Sequence, residues 1–147
     1  MFGAAQGVVN EKSTPTPEGI SGQQLLDAEK SIKNASNPAT IVRLGGLVGG
    51  DRHPAKQLAG KINIPAPQAP TNLVHRKDVV RFLMAIIEEG HWGKTLHCVS
   101  PNHQSRIDFY TEASKRLNLP LPSFAKTASK RNKKVMDSRS AALFDFS

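Results

Sequence analysis

The chain has 147 residues, of which 38% are apolar, and it carries a formal net charge of +8. This length allows one domain with a hydrophobic core, and no apolar run reaches the roughly 20 residues that a membrane-spanning helix needs. The first residues lack the charged-then-apolar pattern of a secretory signal, and the single cysteine, Cys98, excludes an internal disulfide. We therefore expect a cytoplasmic protein in which Cys98 is a small buried residue of a strand.

Much of the positive charge lies near the end of the chain, in Lys126, Lys130, Arg131, Lys133, Lys134 and Arg139. Such a run either attracts phosphates, of nucleic acid or of a nucleotide ligand, or forms a solvated loop. No aromatic residue separates the lysines, and neither a zinc-finger spacing nor an RNA-recognition signature occurs. Nucleic-acid binding is therefore the less favoured interpretation.

The chain is predicted to begin irregularly, because glycines and prolines interrupt residues 1–17. A helix is predicted over about 18–33, with Ser21 and Gln24 as a capping box at its start. Apolar side chains recur there at helical spacing and predict the inward face: Leu25, Ala28 and Ile32.

The segment 39–54 is the most informative part of the sequence. A β-branched run over 39–44 predicts a strand buried on both faces, as in parallel sheets. Paired glycines follow it directly, Gly45 with Gly46 and then Gly49 with Gly50. They allow either a close approach of a ligand to the backbone or a tight turn. Since ligands of open α/β sheets bind at the carboxyl ends of strands, this segment is predicted to be one wall of a binding site.

The middle of the chain is predicted to contain a short helix near 54–59 and then an irregular crossing enforced by three prolines. The clearest helix begins at Asp78, which we expect to be its N-cap, and ends at Gly90. Its apolar face is formed by Val79, Phe82, Leu83, Ile86 and Ile87.

The last third is predicted to hold a strand over 95–99 and a helix that runs to about Leu117. Ser105 with Asp108 is expected to cap that helix. Its inward residues are expected to be Phe109, Ala113 and Leu117. A brief extended piece over 133–137 and a final helical turn capped by Ser138 complete the prediction.

The order helix, strand, helix, strand, helix predicts an α/β fold with parallel strands. Two strands alone do not make an adequate parallel sheet, because such sheets are normally several strands wide and covered on both faces. We therefore expect other strands to complete this sheet.

Several segments also follow the order of one known family. They are Phe2-Gly3 with Val9-Asn10-Glu11, Arg43 to Gly49, Arg52-His53-Pro54, Asn72 to His75 with Asp78-Val79, and Lys134 to Arg139. In this order they resemble the second half of an extended short-chain dehydrogenase/reductase. Within that superfamily the chain is most similar to the atypical NAD-dependent epimerase/dehydratases, or nucleoside-diphosphate-sugar epimerase-like proteins.

The resemblance implies that residues 1–147 form a single segment. It would comprise the C-terminal part of a Rossmann-like sheet plus a small substrate-binding subdomain, with the N-terminal dinucleotide-binding strands absent. The Gly-x-Gly-x-x-Gly turn that holds the cofactor pyrophosphate in the family is not found in this sequence. NAD or NADP binding is therefore expected only if the missing N-terminal half is present.

The family's catalytic Tyr-x-x-x-Lys pair is also replaced. When the family motif is laid on residues 21–29, Gly22 and Glu29 agree, but Ser21 replaces the tyrosine and Leu25 replaces the lysine. A serine without a neighbouring base or cation is a poor acid or base. We therefore assign no catalytic residue and expect no oxidoreductase activity from this chain as it stands.

The resemblance also implies site residues. The implied cofactor-binding residues are Gly45, Gly46, Leu47 and Val48, and the implied substrate-binding residues are Arg52, His53, Asn72, His75, Lys134 and Arg139. The alternatives are a solvated loop for Arg52 and His53, a structural residue at a helix start for His75, and surface charges for Lys134 and Arg139.

No metal site is predicted, because the five histidines are scattered, and no Gly-x-Ser-x-Gly elbow suggests a hydrolase. The preferred function is the substrate side of an epimerase/dehydratase-like cleft that binds a nucleotide-sugar-like ligand, with no membrane partner. The alternative is a non-enzymatic binding module that self-associates or pairs with the missing half through an exposed sheet edge.

Overall fold

A computed structural model describes residues 3, 7–126, 132–136 and 144. The first part of the chain forms β1 (Val8–Val9), α1 (Gly19–Lys33), β2 (Ile41–Leu44), β3 (Gly46–Val48) and α2 (Ala55–Leu58). The second part forms β4 (Leu73–His75), α3 (Arg76–Glu88), β5 (Thr95–Cys98), α4 (Arg106–Arg116) and β6 (Lys134–Val135).

The strands form three parallel pairs, β1 with β6, β2 with β5, and β3 with β4. The predicted α/β class with parallel pairing is therefore confirmed. In the central pair Ile41 lies opposite Thr95 and Leu44 opposite Cys98. Of the strands that the structure describes, only β5 pairs with β2, so the other edge of β2 presents unpaired backbone groups within this part of the chain.

The first 17 residues are not all irregular, and this prediction was wrong. Val8 and Val9 pair with Lys134 and Val135. A two-residue strand formed with a segment far along the chain leaves no local periodicity, so the pattern could not reveal it. The extended piece predicted over 133–137 contains β6, whereas Ser138 lies outside the described residues.

The core lies between α3 and the strands β4 and β5. Phe82 and Leu96 are fully buried, and Val74, Val79, Ile86 and Cys98 complete the cluster. Cys98 is thus a buried strand residue, as predicted. In the part of the chain that the structure describes, no helix has the length and apolar character to cross a membrane.

Helix α1 has the predicted bounds to within one residue, but its cap and its inward face differ from the prediction. Glu18 occupies the N-cap without a side-chain hydrogen bond, and Ser21 is an exposed residue inside the helix. Leu25 and Ile32 are 59% and 46% exposed, whereas Glu29 is buried. The helix is oriented by the ion pair of Glu29 described below, so the apolar stripe does not face the core of the described chain.

The two later helices differ from the prediction mainly in their caps. Helix α3 begins at Arg76, and the Nδ1 atom of His75 accepts the N–H of Lys77 at 3.3 Å. Asp78 lies in the first turn and is buried, so its prediction as the N-cap was wrong. Gly90 follows the helix with φ of 68°, as a C-terminal glycine should.

In α4 the predicted cap is confirmed, because the hydroxyl of Ser105 accepts the N–H of Asp108 at 3.2 Å. Leu117, predicted to point inward, is 41% exposed instead. It occupies the C-cap position, where the helix has already ended and no longer directs the side chain toward the core.

Candidate functional site

An open cleft of about 610 Å³ lies where β2 ends. One wall is the backbone from Leu44 to Gly46, continuous with Arg43 and with Leu25 and Glu29 of α1. The facing wall combines the segment before β4 with Tyr110 of α4 and Lys133. The cleft therefore lies at the carboxyl end of a parallel strand, the edge of the sheet at which the sequence predicted a binding site.

Asn72 holds the facing wall together. Its side-chain amide donates to the carbonyl of Lys133 at 3.0 Å, and its carbonyl oxygen accepts the N–H of Val135 at 2.7 Å. Its backbone carbonyl accepts the N–H of Gly46 at 2.8 Å. Asn72 was predicted to bind substrate; in this structure its amide positions the segment 133–135 at the rim of the cleft.

Gly45 and Gly46 line the cleft but do not form the sharp turn. A Cβ on Gly45 would lie 3.0 Å from the backbone oxygen of Asn72, so glycine is needed there for close approach of two backbone segments. The turn occurs at Gly49 and Gly50, with φ of 121° and 60°. Of the two alternatives, the tight turn therefore applies to Gly49 and Gly50, whereas Gly45 and Gly46 lie beside the cleft.

A buried ion pair forms the inner part of the cleft. The Nε and Nη2 atoms of Arg43 donate to the two carboxylate oxygens of Glu29 at 3.0 and 2.8 Å. Both side chains are 11% exposed. This fork-to-fork geometry fixes α1 against β2, and it commits the guanidinium of Arg43 to Glu29 rather than to a ligand.

His97, opposite Arg43 in the parallel pair, is fully buried and lines the cleft from β5. Its Nδ1 lies 2.9 Å from the carbonyl oxygen of Met136, which assigns the ring proton to Nδ1. Burial lowers the pKa of His97, and the nearby Glu11 and the Met136 carbonyl only partly oppose this. The imidazole is therefore neutral at neutral pH.

The lowered pKa of His97 predicts a loss of stability in mild acid. Below the unfolded value of about 6.5, the unfolded chain protonates this ring before the folded chain does. The free energy of unfolding should thus be greatest above about pH 6.5 and decline below it, by up to about 1.4 kcal/mol per pH unit for this group. Urea unfolding between pH 7.5 and 5.5 measures the slope.

The variant His97→Asn is the matched comparison for that measurement. Its amide nitrogen can replace Nδ1 as the donor to Met136, but it does not titrate. We expect a shallower pH dependence for this variant than for the parent. An unchanged slope would contradict the assignment of the effect to His97.

Tyr110 and Arg106 belong to the cleft and were not predicted. They lie four residues apart on α4, with the guanidinium 6.0 Å from the centre of the tyrosine ring. Burial raises the pKa of Tyr110, so its phenol stays protonated and acts as a hydrogen-bond donor rather than a base. Arg106 also donates to the carbonyl of Pro65 at 2.7 Å. The sequence shows that the two residues are four apart and so share one face of a helix, but it does not show that this face of α4 lines the cleft.

The other predicted site residues that the structure describes lie outside this cleft. Val48 and His75 line a smaller cavity of about 170 Å³, and Leu47 is a partly exposed residue of β3. His53 lines a third cavity, of about 390 Å³, where its ring is parallel to that of Phe109 with 6.1 Å between centres. Arg52 is exposed on the turn, and Lys134 lies in β6 beside the cleft-lining Lys133. Arg139 lies outside the described residues.

The cleft contains polar and charged side chains that are suited to bind a ligand. Leu25 lines the cleft, and Ser21 is exposed one helical turn before it. Among the residues that line the cleft, Tyr110 offers a protonated phenol, and Arg106 and Lys133 carry positive charge. Among the residues that the structure describes, no group of three or more histidine, cysteine or carboxylate side chains is arranged to hold a metal ion.

Comparison with known proteins points to one kind of fold. Protein YeeZ of Escherichia coli (strain K12) is 32% identical over 138 residues, which are 93% of this chain and 50% of YeeZ. The chain thus spans about half the length of this curated relative. No protein-family model matches the chain.

Solved structures share the fold over nearly the whole chain. A dTDP-4-dehydrorhamnose reductase from Clostridium acetobutylicum superposes with a TM-score of 0.77 at 19% identity, covering 97% of this chain and 55% of the reductase. UDP-glucuronic acid 4-epimerase from Bacillus cereus, in complex with NAD, superposes with a TM-score of 0.72 at 18% identity, covering 99% and 50%. The described fold therefore resembles the C-terminal half of proteins of the epimerase and short-chain reductase type.

Proposed function

We propose that this chain forms the substrate side of an NAD(P)-binding cleft of the epimerase/dehydratase type. The observation that carries the proposal is the position of the 610 Å³ cleft, at the carboxyl end of β2 and beside the backbone of Gly45 and Gly46. The proposal is supported by the superposition of this chain on about half the length of proteins of this type, one of which is in complex with NAD. In this proposal residues 1–147 are the C-terminal part of a Rossmann sheet plus a small substrate-binding subdomain, in a cytoplasmic protein.

The residues present fit only one part of a dinucleotide. Gly45 and Gly46 line the cleft with their backbone, and Tyr110 offers a hydrogen-bond donor. Arg43 is committed to Glu29, and the sequence contains no glycine-rich turn for the pyrophosphate. We therefore assign pyrophosphate binding to strands beyond this chain, which would pair with the unpaired edge of β2.

Redox catalysis by the usual dyad is not part of this proposal. Ser21 and Leu25 cannot transfer a proton or lower the pKa of a neighbour, and Tyr110 lies on a different helix, with its pKa raised rather than lowered. The ligand that we propose is a nucleotide-sugar-like small molecule, and the role is to bind it. Lys133, on the rim that Asn72 holds, is the candidate contact for its phosphate groups.

Cofactor titration of a completed protein tests the proposal. The part of YeeZ that this chain does not cover would be joined in frame to residues 1–147, and the fusion would be titrated with NADPH and NADH by fluorescence. We expect saturable binding by the fusion and none by the chain alone. Absence of binding by a folded fusion would overturn the cofactor assignment.

Two variants of α1 would locate the binding. Leu25→Glu places a negative charge in the cleft and should weaken binding of the anionic dinucleotide at least about tenfold, or 1.4 kcal/mol. Ile32→Glu makes the same change at an exposed apolar position two turns further along the helix, outside the cleft. Equal effects of the two substitutions would contradict binding in this cleft.

A further inference from the structure

Helix α3 carries a second apolar face that stays exposed in the described part of the chain. Its inward face, formed by Val79, Phe82 and Ile86, packs in the core. A separate stripe contains Val80, Leu83, Met84 and Ile87, which are 59%, 42%, 49% and 57% exposed. The spacing of i, i+3, i+4 and i+7 aligns these side chains along the helix, as at a helix–helix interface.

The geometry of the stripe is symmetrical about its midpoint between Leu83 and Met84. At about 100° per residue, Val80 and Ile87 lie within about 10° of the centre line, and Leu83 and Met84 about 50° to either side. The arrangement of apolar positions is therefore the same when the helix is reversed end to end. A second copy of α3 placed antiparallel would put Val80 opposite Ile87, and it would put Leu83 and Met84 each opposite its own counterpart near the two-fold axis.

Charges beside the stripe agree with an antiparallel copy of the same helix. Lys77 and Glu88 lie about 70° and 90° from the centre line on the same flank, before and after the stripe. Across a two-fold axis, Lys77 of one copy would lie on the same side as Glu88 of the other, about 3 Å apart along the axis. Two identical ion pairs would form, whereas a parallel copy would place its Lys77 and Glu88 on the opposite flank, where neither pair can form.

The helix is also locally balanced in charge, although the chain is not. Arg76, Lys77 and Arg81 are offset by Asp78, Glu88 and the capping Glu89, while the whole chain carries +8. A strongly basic chain repels copies of itself over most of its surface. This helix combines exposed apolar area with both signs of charge, which favours association with itself.

We propose that the outer face of α3 is a self-association surface, on which two copies of the chain meet through antiparallel helices about a two-fold axis. An isologous contact of this kind closes after two copies. A single pair of short helices buries less than the roughly 1,600 Å² of a standard interface, so the dimer should be reversible with a dissociation constant in the micromolar to submillimolar range. The stripe does not line the cleft, so this proposal stands independently of the proposed function.

Sedimentation equilibrium of the chain from about 5 µM to 1 mM tests the proposal. We expect a monomer–dimer equilibrium that Leu83→Glu weakens about a hundredfold or more, since the two-fold axis presents the substitution twice. Ile62→Glu is the control, because Ile62 is 81% exposed and lies outside the helix. Val80→Glu, at a more exposed position, repeats the test if Leu83→Glu proves poorly folded by circular dichroism.

Charge exchange tests the antiparallel geometry. Lys77→Glu and Glu88→Lys should each weaken association about tenfold at low salt, and the double variant should restore it, because both ion pairs are then re-formed with reversed signs. A chain that is monomeric up to 1 mM would overturn the proposal. So would a dimer equally sensitive to Leu83→Glu and Ile62→Glu, or a double variant that fails to recover.

Discussion

Replacing Glu29 with leucine is expected to lower the free energy of unfolding by about 3–5 kcal/mol, the usual cost of removing one partner of a buried ion pair. Both side chains of the pair are 11% exposed, and the two hydrogen bonds are 3.0 and 2.8 Å long. Without Glu29 the guanidinium of Arg43 loses the two carboxylate oxygens that accept its hydrogen bonds, while it remains buried. Urea unfolding monitored by circular dichroism measures the change.

The same helix provides the control for this prediction. Asp27 forms an ion pair with Lys30 at 3.5 Å, but these side chains are 58% and 63% exposed. Asp27→Leu should therefore change the stability by about 1 kcal/mol or less. The double variant Glu29→Leu/Arg43→Met should recover much of the loss, because apolar pairs often replace buried ion pairs without cost. Equal effects of Glu29→Leu and Asp27→Leu would contradict this account.

Phe82→Ala is expected to destabilise the chain by about 3–5 kcal/mol, through lost burial and the cavity left behind. Phe82 is fully buried in the core, and its ring contacts that of Phe144 edge to face, with 5.7 Å between ring centres. Since small domains have only about 5–15 kcal/mol of stability, this variant should unfold at much lower urea concentration. Thermal and urea unfolding at low protein concentration measure this loss of stability.

Two further variants of α3 make the prediction specific. Phe82→Leu keeps most of the volume and should cost clearly less than Phe82→Ala. Val80→Ala, two residues earlier and 59% exposed, should cost less than about 1 kcal/mol in the monomer. A Val80→Ala effect as large as that of Phe82→Ala would mean that the core does not lie on the inward face of α3.

Elements with a strong local signal could be predicted from the sequence. The helices at 19–33, 76–88 and 106–116 carry helical periodicity or a cap such as Ser105, and these signals act within a few residues. The run at 39–44 predicted a strand, which the structure places at Ile41–Leu44, but the prediction of burial on both faces was wrong, since Ile41 alone in this strand is buried and Leu44 is 48% exposed. The glycines that follow this strand predicted a binding site there, because ligands of open α/β sheets bind at the carboxyl ends of strands.

Features that depend on distant partners could not be predicted. His75 rather than Asp78 caps α3, since Asp78 is drawn into the buried side of the first turn. Asn72 clamps the segment 133–135, and its two bonds join residues more than 60 positions apart. Arg52, His53 and Gly45 are close in sequence, but the turn at Gly49 and Gly50 directs the first two away from the cleft.

The sequence by itself determined the α/β class, the parallel strands and the glycine-rich end of β2 beside which the cleft lies, because local composition and periodicity encode these directly. Only the tertiary structure decided which side chains meet in the cleft, how Glu29 and Arg43 orient α1, and which face of α3 stays uncovered. Those outcomes depend on packing between segments that are remote in the chain, and no local pattern records such contacts.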